Sequence, residues 1–336
     1  MATHQVLPAS NVKSLAWHGD TLIDMAAGGK VYGLDGSAHK VRFMTSFSFD
    51  AAILSGDGAY AVLYKRFGTK AVIFHEGVLI REINRSYYFA EMFDYPVCLW
   101  TDSQNRTLIA HCPDDYNRIE IEDAKSGERL TDSKDRSPSD FFHSRFEVSP
   151  NGKRLLSAGW VWHPLDVLRV LDLQRALSDP HHLDDKDDGT VWLYEDYLAE
   201  CHSACWQDND TLLLAIEIDK GEYTEFTGQD PRDVSLLRLV RYDASDRKIL
   251  SSIDMAEPLG SLMPVGLSHV LAFYGHPRLI ELTTGKVVEE WPQLYSGRQA
   301  GCIVDAKAAP TPPMALDPAN TRFAILSGTD IHVIGF

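Results

Sequence analysis

The chain is poor in several things, and each shortage closes off a class of function. No apolar run approaches the roughly 18 residues that a membrane-crossing helix needs. Its five cysteines (Cys98, Cys112, Cys201, Cys205 and Cys302) are odd in number and scattered. That argues against a disulfide framework and for reduced thiols in the cytoplasm. The first residues carry neither the basic segment nor the apolar core of a signal peptide, which agrees with a cytoplasmic placement. Basic charge is short, with 32 Lys and Arg against 48 Asp and Glu, for a net charge of −16. Binding a phosphate backbone needs the opposite balance, so nucleic acid is excluded as a partner. Local catalytic signatures are missing too. There is no G-x-S-x-G elbow, no phosphate-binding G-x-x-x-x-G-K-[ST], no G-x-G-x-x-G and no H-E-x-x-H. Enzymes that assemble a site from single residues of several repeats leave no such mark and stay open.

What the chain does have is a recurring phrase. Ser149-Pro-Asn-Gly-Lys-Arg-Leu-Leu-Ser-Ala-Gly159 sets a polar tight turn between two apolar runs, as a β-hairpin requires. Looser copies start at Ser55, Asp102 and Asp317. Aligning the residue that closes each turn gives Asp20, Gly58, Asn105, Gly152, Asp210, Ser268 and Asn320, at intervals of 38, 47, 47, 58, 58 and 52 residues. A second anchor follows, an apolar strand ending in an acid before another turn, as in Val31-Tyr-Gly-Leu-Asp35 and Leu168-Arg-Val-Leu-Asp172. Each unit therefore reads as four short strands. One four-stranded sheet cannot bury both apolar faces, but stacked sheets closed into a ring can.

On these residues the chain resembles the WD40/YVTN-like β-propeller superfamily. Val170-Leu-Asp-Leu173 stands where that family has its Trp-Asp dipeptide, and the period spans nearly the whole sequence. The resemblance implies an all-β fold, a single propeller domain over 1–336 with seven four-stranded blades. The expected blades are 11–47, 48–86, 94–133, 140–198, 201–255, 258–292 and 310–336 completed by 3–8. In that arrangement the N-terminal strand pairs with the last blade and closes the ring.

Candidate contact residues lie where the period is interrupted. Arg85-Ser-Tyr-Tyr-Phe-Ala-Glu-Met-Phe-Asp-Tyr95 falls between blades two and three and has the composition of an interface hot spot. Its Tyr87, Tyr88, Phe89, Met92 and Phe93 are expected to bind a partner. The two 58-residue intervals hold insertions at 173–188 and 219–233, and long loops on a rigid scaffold often carry the binding surface. Leu173-Gln-Arg-Ala-Leu177 reads as a short helix. Trp160, Trp162, Tyr223 and Phe226 complete the expected contact set.

Metal is addressed by two patterns. Asp184, Asp188, Gly189 and Glu195 fall in register with the calcium loop D-x-[DN]-x-[DN]-G-x5-E, but Lys186 occupies a ligand position and a strand follows instead of a helix. Cys201-His-Ser-Ala-Cys205 lacks the second cysteine pair of a zinc site, and strand alternation puts Cys201, Ser203 and Cys205 on one buried face with His202 opposite. No cofactor is expected, with calcium at Asp184, Asp188 and Glu195 as the alternative.

Three readings follow. The first is a non-catalytic scaffold that binds another protein, a basic one given the charge, through one rim; a narrower form is an immunity protein that occludes a basic toxin. The second is a hydrolase or lyase whose site is built from converging His, Asp, Glu or Arg. The third is a calcium-responsive sensor.

Overall fold

The computed structural model describes residues 2–41, 47–162, 164–184, 189–191, 193, 199–228, 230, 236–304 and 310–336, with the backbone alone at 222, 223 and 226. Among them the strands form seven antiparallel sheets, five of four strands and two of three. The described residues fall into two compact units, Met1–Asp135 with Pro310–Phe336, and Arg136–Ala309.

The first unit holds four sheets. One is Ala16–His18, Thr21–Asp24, Lys30–Gly33 and Ala38–Lys40; the next is Ala51–Leu54, Tyr60–Tyr64, Lys70–His75 and Val78–Asn84. The third, Val97–Thr101, Thr107–His111 and Glu120–Asp123, is extended at its edge by a bridge from Glu122 to Arg129. The last joins Met314–Asp317, Arg322–Ser327 and Asp330–Gly335 to Thr3–Pro8. Thr3 pairs with Gly335 and Pro8 with Asp330, so the N-terminal strand does complete this sheet as expected. Leu7, on that strand, is buried in one cluster with Leu22, Tyr32 and Ile331.

The second unit holds three. Phe146–Val148, Arg154–Val161 and Leu165–Asp172 make a sheet widened by a bridge from Arg169 to Thr190. Ala199–Trp206, Thr211–Ile218, Leu237–Asp243 and Lys248–Met255 make the next, and Leu262–Val265, His269–Ala272, Arg278–Glu281 and Val287–Glu290 the last. Among the described residues the insertions hold two α-helices, Leu173–Ser178 and Lys220–Thr227, and a 3₁₀ turn, Pro180–Leu183. The first is capped by the Asp172 carboxylate, which accepts from the Arg175 N–H at 2.9 Å; the second replaces an expected loop. No helix among the described residues is long and apolar enough to cross a membrane.

The repeat is physical as well as sequential. At the turn around Gly152 the Ser149 hydroxyl accepts from the Arg154 N–H, and Gly152 closes the turn at φ 71°. Ser55 and Gly58 repeat the device, again with φ 71°. Asp102 and Asn105 do so with a carboxylate and φ 60°. In the last copy the left-handed residue is Thr321 (φ 47°), one beyond the expected Asn320. Left-handed backbone favours Gly or Asn, which is why the sequence marks most of these positions.

The second strands are buried on both faces in all but the first sheet, where Thr21 and Ile23 are half-buried. Leu212, Leu213 and Leu214 are fully enclosed, as are Phe323, Ala324 and Ile325, whereas Val287–Glu290 at a sheet edge is exposed throughout. Three tryptophans keep one register, Trp17 opposite Leu22, Trp100 opposite Leu108 and Trp206 opposite Leu212. Arginines just beyond the turns tie neighbouring sheets together. Arg154 reaches Asp210 and the Asn209 carbonyl; Arg322 reaches Asp20 and the Gly19 carbonyl.

Candidate functional site

In the first unit, the segment between Val78–Asn84 and Val97–Thr101 is folded around one buried arginine. Arg85 donates from Nε to the Gly68 carbonyl (2.7 Å), from Nη1 to Asp94 (3.0 Å), and from Nη2 to Ala90 and to Phe93 (2.9 Å). Its guanidinium lies 4.5 Å from the Phe93 ring centre and 5.1 Å from that of Tyr95. Burial pulls its pKa down to about 10, still far enough above neutrality to keep the charge. Two tight turns follow, Ala90 N–H to the Tyr87 carbonyl and Met92 N–H to the Phe89 carbonyl, with Phe89 left-handed at φ 53°. They push the tyrosines outward: Tyr87 is 84% exposed and Tyr88 41%.

Tyr88 stands edge-on to Phe89 at 4.7 Å and lies 5.2 Å from the Tyr116 ring, which comes from the loop after Thr107–His111. Asp114 and Asp115, beside Tyr116, are exposed, and so is Glu91. Asp114 is paired with Arg129 at 2.6 Å. The result is an aromatic patch edged with acids. Phe89 and Met92 are half-buried at its margin. Phe93, expected to be a contact residue, is 1% exposed. It packs under Arg85 and is part of the scaffold that holds the patch, so no partner can touch it.

In the second unit the other expected contacts divide in the same way. Trp160 is buried, stacked on Phe142 at 3.7 Å with the rings 9° apart, and is a core residue. Trp162 is 42% exposed and stands edge-on to both. The helix Lys220–Thr227 carries Tyr223 and Phe226, whose side chains lie outside the described residues. Of the calcium pattern, Asp188 and Glu195 also lie outside them. Asp184 is buried, and its carboxylate accepts from the Arg136 guanidinium (2.8 Å) and from the Ser137 N–H (2.7 Å). Those bonds fasten 136–139 to the body of the unit, and a calcium ion at Asp184 would have to displace the guanidinium.

A second cluster was not foreseen. Asp166, from Leu165–Asp172, meets Glu200 and His202, from Ala199–Trp206, with one potential ligand atom of each within 4.8 Å of the others. Both Asp166 oxygens accept from the Cys302 N–H at 3.1 Å, and the Asp166 N–H donates to Glu200 Oε2 at 3.1 Å. The backbone approaches so closely that a Cβ on Gly301 would stand 2.2 Å from Asp166 Oδ2. Arg145 donates to the His202 carbonyl and the Cys302 sulfur. Burial raises the Asp166 pKa against the lowering influence of the Arg145 guanidinium, and burial raises the Cys302 thiol well above its ordinary value. Glu200 and His202 are two residues apart, the spacing of one strand face, although the pairing slips between Cys201 and Ser203. That signal was present in the sequence, but Asp166 is distant along the chain and gave no cue.

No family model matches the chain, and no curated protein does. Among solved structures it is similar to a chain in the crystal structure of a mitotic checkpoint complex, at a TM-score of 0.59 and 12% identity, covering 99% of this chain and 91% of that one. This likeness shows the fold, a seven-bladed β-propeller.

Proposed function

We propose that this propeller, as a single WD40/YVTN-like domain, is a non-catalytic scaffold that binds a basic protein in the cytoplasm. The observation that carries the reading is the Tyr87–Tyr88 patch, exposed on a loop that the Arg85 hydrogen bonds hold in one shape. Aromatic side chains presented without a large ordering cost have the character of interface hot spots. The bordering acids and the net charge of −16 favour a cationic partner, by steering its approach. An immunity protein that occludes a basic toxin is the narrower form of this reading.

The test is a pull-down from native lysate with the wild-type chain and with a Tyr87→Ala/Tyr88→Ala variant, at low and at high salt. The reading predicts one basic partner, held by the wild type at low salt and lost with the variant. A partner retained equally by both would remove the patch from the interface. The hydrolase or lyase reading has one observation in its favour, the Asp166, Glu200 and His202 cluster.

A further inference from the structure

We propose that Asp166, Glu200 and His202 form a site for one divalent transition-metal ion, independent of the aromatic patch. The donor set is mixed. Two carboxylates and one imidazole suit zinc, cobalt or manganese better than calcium or magnesium, which prefer all-oxygen shells. Donor atoms within 4.8 Å of one another can converge on a single ion with side-chain adjustment alone, because metal–ligand bonds of about 2.0–2.2 Å place donors roughly 3–4.4 Å apart.

The carboxylates are already oriented. Asp166 is held by the Cys302 amide, at an approach that only a glycine at 301 permits, and Glu200 by the Asp166 amide. Such outer bonds are what fix a ligand's orientation in metal proteins. A separate observation bears on the fourth position. His202 borders a pocket of about 10 Å³, room for about one water, whose wall also includes Arg238, Glu257 and Gly260. Three protein ligands with space beside one of them match a site that completes its shell with water. The Arg145 guanidinium, held beside the cluster by the His202 carbonyl and the Cys302 sulfur, adds a positive charge that a bound cation would feel, so an affinity below that of a buried structural site is expected.

The test is calorimetric titration of metal-stripped wild type, Glu200→Gln and His202→Ala with Zn²⁺, Co²⁺ and Ca²⁺. Metal content is measured after dialysis, and folding is checked by circular dichroism. His4 and His332, in contact at 3.0 Å on the surface, are a competing weak site, so all proteins carry His4→Ala. One equivalent of Zn²⁺ or Co²⁺ at a Kd of about 1–100 µM, weakened about tenfold or more in each folded variant, supports the site. Should His202→Ala fail to fold, His202→Asn takes its place. Absence of binding in the wild type, undiminished binding in the folded variants, or preference for Ca²⁺ overturns it.

Discussion

The Arg85 guanidinium lies 4.5 Å from the centre of the Phe93 ring, and both side chains are enclosed beneath a loop whose outer face is Tyr87 and Tyr88. Exposed contact residues and the side chains that position them are thus separate sets within eleven residues of sequence. That separation makes the binding account testable by stability as well as by affinity.

Replacing Phe93 with Ala removes a buried aromatic ring and should cost about 3–5 kcal/mol. Replacing Tyr87 with Ala at an 84% exposed position should change stability by less than about 0.5 kcal/mol. Thermal or denaturant unfolding separates the two. A large loss with Tyr87→Ala would mean the ring is packed rather than presented.

Arg85→Met keeps apolar bulk but leaves the carbonyls of Gly68, Ala90, Phe93 and Asp94 without their donor. A loss of about 3–5 kcal/mol is expected, as for a buried charged partner removed from its network. Hydrogen exchange over 86–94 should accelerate more than in the strands of the adjacent sheets. Uniform exchange across the chain would contradict a local role.

Deleting residues 1–9 removes a strand that pairs from Thr3 to Pro8 and the buried Leu7. An edge of Asp330–Gly335 would be left open, so the melting temperature should fall and aggregation rise. Unchanged melting would contradict closure by this strand.

Glu147, half-buried by its whole surface, accepts from the Trp206 N–H at 3.5 Å, and desolvation of its carboxyl raises the pKa from the ordinary 4.5 to about 7. The folded state therefore favours its protonated form. Its contribution is fully present below about pH 4.5 and is lost as pH rises through about 7. Glu147→Gln should add about 1–3 kcal/mol at pH 8 and little at pH 4.5. Glu122 runs the other way. Burial opposes its charge, but the His111 imidazole 3.1 Å away and the Arg81 guanidinium, which donates at 2.7 Å, win and hold it at about 2. Its contribution is present above 4.5 and fades as pH falls toward 2. Melting curves from pH 2 to 8 should show the Glu147→Gln gain growing between about pH 4.5 and 7, and the Glu122→Gln loss shrinking as pH falls from about 4.5 to 2.

The fold was legible because its turns recur in local chemistry. Ser55, Asp102 and Ser149 each bond the amide that restarts the chain, and a left-handed Gly or Asn closes each turn. Both features are visible as residue types at fixed spacing. The patch was half legible. Composition marked 85–95 as interface-like, but a stretch of aromatics does not say which rings face inward. That depends on Arg85, whose carbonyl partners are fixed only by the folded loop. Tyr116 and Asp166 were illegible for another reason: each joins its site across the fold, with no local spacing to betray it.

The central claim is that Tyr87 faces a partner. A photo-crosslinking residue (p-benzoylphenylalanine) placed at Tyr87, and separately at Leu267, exposed at 69%, tests it in the native cell. The account predicts one crosslinked product from position 87, a basic protein, absent from position 267. The same products from both positions, or none from either, would contradict it.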